Sequence, residues 1–345
     1  MALNDISAIN NYVGLYFRAI IGSIYDKITL AEEAYVINNL TARQQLWRYD
    51  AADGMRPIDT NVEDTARSQG AFSLRYIEPR VWMKILKVIP EELRKTFFSE
   101  QLAAAAKDYP GGFAEYFWTE QGKRAAREIN QNAYFGIDPE TVAAFNAGAT
   151  YTVGQFVKFQ VSSTEGIEYW RCVTNTSAAE SPTTHPAKWA NANNRCLAKG
   201  WGTLIAEEIT ATTITPTTLG SLTTSNAFDK IDGDFYQSIP EEVRDNVDKI
   251  TILCSGANFE KRRQHLLTKY PNSPEIMVKE GNVSGKIWGS KGRDEVKQVS
   301  WLRNSNRIIA NIEVDGKKNL VMGVDRLPEP GSIDERSRIL HGYQT

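Results

Sequence analysis

The chain of 345 residues is short of the residue types that build most catalytic and metal centres. Its three histidines, His185, His265 and His341, lie far apart and none falls in a metal-ligating or triad-like spacing, so each is expected as a surface or half-buried polar group. Its three cysteines, Cys172, Cys196 and Cys254, include no C-x-x-C pair, which excludes zinc ribbons and thioredoxin-type sites. Cys172 and Cys196 alone are placed to pair, and three reduced thiols are the expectation. Phosphate-cradling glycine loops and the G-x-S-x-G elbow are missing too. Asp229, Asp232 and Asp234 beside Gly233 sketch a calcium loop, but the closing glutamate is not there, and solvated helix acids are expected. No catalytic residue, cofactor or metal is therefore expected.

Long hydrophobic runs are also missing. Residues 13–28 are interrupted by Arg18, Ser23, Asp26 and Lys27, too polar and too short for a bilayer, and no leader peptide is evident. Neither sign of charge dominates: 40 basic residues face 42 acidic ones, which argues against a protein whose main work is gripping phosphate backbones. The balance is local only in part. Residues 261–303 hold ten bases against four acids, a polyanion-facing or inter-subunit patch if exposed and a solvated, acid-paired face otherwise.

What the chain does have is a sequence of distinct textures. Apolar residues recur at helical steps over residues 3–25 (Leu3, Ile6, Ile9, Val13, Phe17, Ile20, Ile24), and again over 30–47, with Leu30, Ala34, Ile37 and Leu40 on one face. Residues 50–70 are polar and aperiodic, a connection long enough to suggest function. Phe72, Leu74 and Tyr76, then Val81, Met83 and Ile85, alternate as in a strand, with Pro79 favouring an edge or ribbon. The strongest helical signal covers 112–135, with Gly136 placed to cap it. Near Gly148 the composition switches to Thr, Val, Tyr, Asn and Ser, which predicts a small all-β module over 147–195 inserted into a larger domain. Helical signals resume at Trp201. Within 226–246 a helix with Phe228, Ile231 and Phe235 is followed by a proline-started turn at Pro240; a buried strand at 249–255, a helix at 257–270, a glycine-lysine loop around 285–292 and an Asp315-Gly316 hairpin running to Val324 complete the pattern.

This order of elements resembles the major capsid proteins of tailed bacteriophages, of the Hong Kong 97 type, with T-I-L-C-S-G-A-N-F (residues 251–259) and N-L-V-M-G-V-D (319–325) as the resembling runs. The resemblance implies an α+β fold: an N-terminal arm (1–45), an extended loop or ribbon (46–90), a P-domain with a long spine helix (91–146), the inserted module (147–195), an A-domain (196–300) and a return to P-domain strands (301–345). The insert is similar to small chitin-binding-type carbohydrate-binding modules through Y-T-V-G-Q-F-V-K-F (151–159), E-Y-W-R-C-V-T-N-T (168–176) and S-P-T-T-H-P-A-K-W (181–189), with Gln155 where an aspartate is usual. That likeness makes Tyr151, Tyr169, Trp170 and Trp189 candidate sugar-stacking rings, Tyr151 and Trp189 being better suited to a small core.

The resemblances imply a shell subunit and not an enzyme. It would form hexamers and pentamers of an icosahedral head around double-stranded DNA, touch that DNA non-specifically, meet portal or decoration proteins, and reside in the virion after synthesis in the host cytoplasm. Residues 1–28 would contact neighbours. On the spine helix, Phe113 and Phe117 would face the core, while Arg124 and Arg127 would share a polar face with Glu120 and Glu128, pairing Glu120 with Arg124, and meet a neighbour's acids or the DNA. Two alternatives are a carbohydrate-binding structural protein and an enzyme with a carboxylate site. Some members of the capsid family join subunits by lysine–asparagine bonds. Residues 50–70 contain no lysine, Lys84 and Lys87 lying beyond them, so no covalent crosslink is expected. Particles run on a denaturing gel should give the monomer band; a boil-resistant ladder contradicts this.

Overall fold

The computed structural model describes residues 29–50, 70–80, 112–162, 166–270, 284–287, 290 and 292–324. The expectations for the N-terminal arm, the polar connection, Val81 to Ile85, Lys84, Lys87 and His341 lie outside the described residues, as do the side chains of Phe113 and Phe117.

The architecture is α+β, organised by one strand. β7 (Lys249–Cys254, KITILC) is an apolar, β-branched run, and Ile250, Ile252, Leu253 and Cys254 are fully buried. A strand apolar on both faces must be covered on both. It pairs antiparallel with β10 (Ile309–Val314) and parallel with β9 (Glu295–Gln298). Antiparallel partners β11 (Lys317–Lys318) and β8 (Ser284–Lys286) complete a five-stranded sheet of order β11-β10-β7-β9-β8. The parallel pairing requires a crossover. The helix Gly256–Lys269 supplies it, its first turn capped by Ser255, whose hydroxyl accepts from the Asn258 N–H.

Alternation along β7 sends Leu253 to one side and Ile250, Ile252 and Cys254 to the other. On the first side lie Leu30, Ala126, Tyr134, Trp301, Leu302, Ile309 and Leu320, joined by Trp201 and Ile205. This side carries α1 (Gly112–Phe135) and α2 (Trp201–Thr210). On the second lie Ile231, Tyr236, Ile239, Ile287 and Val296. Ile231, Tyr236 and Ile239 come from a π-helical segment, Asp229–Phe235, and from the approach to α3 (Glu241–Asp245), with Pro240 at its N-cap; Ile287 follows β8, Val296 lies on β9, and the crossover helix is α4.

The spine helix α1 has 24 residues, about 36 Å at 1.5 Å per residue, and coincides with the expected segment. Gly136 ends it by close approach and not by a left-handed turn. A Cβ there would run into the Ala198 and Asn132 carbonyl oxygens, and its φ is not positive. Asn132, buried near the end of α1, donates to the Ala198 carbonyl at 3.0 Å and accepts from the Leu197 N–H at 3.2 Å. Ile137 N–H donates to the Arg195 carbonyl at 2.8 Å. Entry and exit of the inserted segment are thus tied together. Between them β4 (Phe156–Phe159), β5 (Glu168–Cys172) and β6 (Trp189–Asn191) form a separate antiparallel sheet with its own core of Val157, Cys172 and Trp189 against Phe145, Tyr151 and Trp170.

Several local expectations are corrected. Residues 30–47 are not a helix. A 3-10 turn, Thr29–Glu32, precedes β1 (Tyr35–Asn38) and β2 (Gln44–Asp50). Leu30, Ala34 and Leu40 are buried as their spacing suggested, but Tyr-Val-Ile is β-forming and Asn39 takes a left-handed φ of 61°. The Asp315-Gly316 turn has both φ positive (51° and 71°), as the two-residue hairpin demands. The hairpin stops after two residues, however. The Asn319 side chain accepts from Ile312 N–H and donates to the Ala310 carbonyl, and the chain leaves as β12 (Val321–Val324) to pair parallel with β1. Gly285 and Lys286 belong to β8 and not to a loop, because they pair antiparallel with Val296 and Glu295 of β9; glycine stands at 285 because a side chain there would meet the Arg262 guanidinium. Asp232 is not solvated: it is buried in a two-bond pair with Arg262, both at 2.6 Å.

Because its ends meet at the Ile137–Arg195 bond, the module is expected to be separable. Replacing residues 138–194 by a short Gly/Ser linker should leave a soluble body melting within a few degrees of the parent. Insoluble or unfolded protein in that calorimetric comparison would make the module part of the body's core.

Candidate assembly surface

β2 and β3 (Ala71–Ile77) form a two-stranded antiparallel ribbon with Gln45 opposite Tyr76, Trp47 opposite Leu74 and Tyr49 opposite Phe72. The two-residue period puts Trp47, Tyr49, Phe72, Leu74 and Tyr76 on one face. Their rings are not covered: Trp47 is 65% and Phe72 70% exposed, and Tyr49 and Tyr76 are exposed as well. Tyr49 and Phe72 touch across the strands at 4.8 Å between centroids, and the Arg43 guanidinium lies 3.7 Å over the Tyr76 ring. Trp47 and Tyr49 escape a helical reading of 30–47, although Trp47 and Tyr49 flank Arg48 and precede Asp50 with the two-residue period of a strand. A two-stranded ribbon is marginal alone, and a contiguous apolar face on it marks an interaction surface.

The base of the ribbon is held to the body. Leu40 and Ile77 close on Gly323 of β12, where a Cβ would clash with both. Arg75 pairs with Glu208 of α2 at 2.9 Å. Arg80 pairs with Asp138 at 3.3 Å and with both oxygens of Glu140. The Glu140 hydrogen bond raises the Arg80 pKa further, with the surrounding acids adding to it against burial.

On α1, Arg124 and Arg127 are exposed, as expected of a polar face. Their partners differ from the expectation. Arg124 binds Glu128 at 3.0 Å, Glu120 is taken by Lys123 at 2.5 Å, and Arg127 donates to the Lys123 carbonyl. Glu120 and Glu128 are both four residues from Arg124, so spacing alone does not choose between them.

The four module aromatics are spread out. Trp189 is buried and donates its indole N–H to the Glu180 carbonyl at 3.0 Å. Tyr151 is half-buried, stacked on Phe145 at 5.5 Å, with its hydroxyl accepting from Asn146 N–H. Trp170 is half-buried against that core, while Tyr169 is half-buried on the opposite face of β5. None of the four is an exposed ring.

Most acids and bases outside the ribbon and α1 are engaged in ion pairs and hydrogen bonds. Of the basic run, Arg262 holds Asp232, Arg263 holds Glu260, Lys269 holds Asp229, Lys286 holds Glu295, and Lys297 holds Glu32 and Glu33. Lys261 donates to the Leu222 carbonyl. This is the acid-paired alternative. His265 is buried, its Nδ1 accepting from Phe228 N–H at 3.2 Å. The three cysteines are free and buried, and burial pushes the Cys196 thiol up to about 11 and Cys254 to about 12. Asp294 is fully buried and accepts from the Tyr236 hydroxyl at 2.5 Å, from Ile250 N–H at 2.8 Å and from two Arg293 nitrogens at 3.0 Å. Burial works to raise its pKa, but Arg293, Tyr236 and Ile250 outweigh it and hold the carboxyl below its ordinary value. Among the described residues no group of histidine, cysteine and acidic side chains is placed to hold a metal ion, and no helix is long and apolar enough to cross a membrane.

No family model, curated protein or solved structure matches the chain.

A carboxylate with a depressed folded-state pKa stabilises the fold above its unfolded value and loses that contribution as pH falls through the folded one. Melting temperature should therefore drop as the medium is acidified below about pH 4, the unfolded carboxyl range. Asp294→Asn should cost about 3 kcal/mol at neutral pH and flatten that acid limb. A variant with the parent's stability and pH profile would show that the Asp294 network carries no stability.

Proposed function

We propose that the chain is a structural shell subunit that assembles with copies of itself into hexamers and pentamers of a closed icosahedral head of the tailed-phage kind, enclosing double-stranded DNA. In this reading the ribbon β2–β3 is the extended loop, α1 the spine helix, the five-stranded sheet with α4 the A-domain, and β1–β12 part of the P-domain. The module at the end of α1 is an outward-facing addition, and portal or decoration proteins are further partners. The enzyme alternative gains no support from the side-chain clusters, which are satisfied ion pairs. The sugar-binding alternative gains none from the module aromatics, whose rings are half-buried or buried.

The observation that carries the proposal is the uncovered aromatic face of the ribbon. Four rings on one face of a two-stranded arm make no compact fold more stable, and burying such rings against another subunit dominates association energetics. A lattice of identical subunits provides that cover for every copy.

The pair Trp47→Ser and Phe72→Ser tests it. The isolated subunit should melt unchanged, since both rings face solvent. Association should weaken by about 2 kcal/mol per ring, roughly thirty-fold each. Size-exclusion chromatography with light scattering reads it. Parent and variant eluting with equal mass at every concentration would sink the proposal, as would parallel loss of melting temperature and association.

A further inference from the structure

The neck of the module carries two arginines that the chain leaves unanswered. Arg171 lies on β5 between Phe156 and Ala190, on the sheet face turned away from Trp170 and Cys172. Arg195 ends the 3-10 turn Asn193–Arg195 that follows β6. That turn is fixed against the same strand: the Asn193 side chain accepts from Tyr169 N–H at 2.7 Å, and Ala192 N–H donates to the Tyr169 carbonyl at 2.8 Å. The turn thus sets Arg195 just past residues bonded to Tyr169, two positions along β5 from Arg171. Burial and then Arg171 lower the pKa of Arg195.

Both side chains are half-buried, yet neither has a carboxylate or a hydrogen-bond acceptor among the described residues. Asp138 and Glu140 are held by Arg80, and Glu168 lies on the face of β5 opposite Arg171. The neighbouring Cys196 thiol and Tyr169 hydroxyl are pushed up by burial and bring no counter-charge at neutral pH. Arg195 is also oriented from beneath, its guanidinium 5.2 Å from the centre of the Phe135 ring at the end of α1. A cation seated on an aromatic face keeps its N–H fork free.

Two part-desolvated like charges with free donor forks are costly alone and complementary to an anion with two charges and several oxygens. We propose that Arg171 and Arg195 form a binding site for a doubly charged oxyanion of the phosphate class. Lys158, on the same sheet face opposite Tyr169, adds a third positive charge to its approach. A carboxylate satisfies one fork and one charge, whereas a phosphate satisfies both. The site belongs to the neck of the module and stands whether or not the chain builds a shell.

The test titrates the intact chain with inorganic phosphate and follows the arginine Nε–H signals by NMR, with melting temperature as a second readout. Saturable shifts at Arg171 and Arg195 and a rise in melting temperature are expected. Acetate should bind at least ten-fold more weakly. Arg171→Gln or Arg195→Gln should each lose ten-fold or more in affinity, the worth of a charge-assisted hydrogen bond. Arg171→Lys, which keeps the charge and loses the fork, should fall in between, and Arg303→Gln, at an exposed position, should bind as the parent does. Tripolyphosphate separates the sources: tighter binding than inorganic phosphate points to a phosphate carried on a chain, equal binding to the free ion. Absence of saturable shifts in the parent protein overturns the proposal whatever the variants do. So does phosphate affinity that survives both glutamine substitutions, or acetate binding as tightly as phosphate.

Discussion

Everything in the body follows from covering β7 on both faces. Ile250, Ile252 and Cys254 require one apolar layer and Leu253 another, so the sheet cannot stand at a surface. The first layer draws α1, α2, Trp301 and Leu30 together from positions up to 271 residues apart in the sequence. The second recruits the π-helical segment and the approach to α3. The wide π turn has its own restraint, the buried Asp232–Arg262 pair, which in turn needs glycine at 285 for the guanidinium to fit. A buried pair of this kind is weak evidence for net stability, but losing one partner would strand a charge.

Among the described residues, two parts are not consumed by that core. One is the module, which has its own small core and leaves the body through a hydrogen-bonded neck. The other is the ribbon, anchored at its base by Leu40, Ile77, Arg75 and Arg80 and uncovered along its length. Exposed ion pairs such as Arg75–Glu208 contribute little energy. They set direction, while the aromatic face stays open and, in the proposed shell, would supply the apolar area for association.

The elements read directly from the sequence were those with one unambiguous period or one decisive residue pair. The 24-residue α1 repeats its pattern over six turns, β7 is a continuous apolar run, and Asp-Gly admits few conformations other than a tight hairpin turn. Residues 30–47 suggest a helix because Leu30, Ala34 and Leu40 match a helical spacing while serving a turn, a strand approach and a strand exit. A helical period there hides the strand that carries Trp47 and Tyr49, half of the rings of the candidate surface. Asp232 looked solvated because its partner lies 30 residues on. Long-range partners of this sort leave no local signal, and Arg171 and Arg195, whose meaning lies in partners they do not have, leave even less.

The most direct measurement is hydroxyl-radical footprinting of Trp47, Tyr49, Phe72 and Tyr76 in dilute and in concentrated protein. The account predicts four reactive rings in the isolated subunit and their joint protection when copies associate, with Trp189 and Trp301 unreactive throughout. Rings protected in the dilute monomer, or rings still fully reactive in an assembled particle, would contradict it.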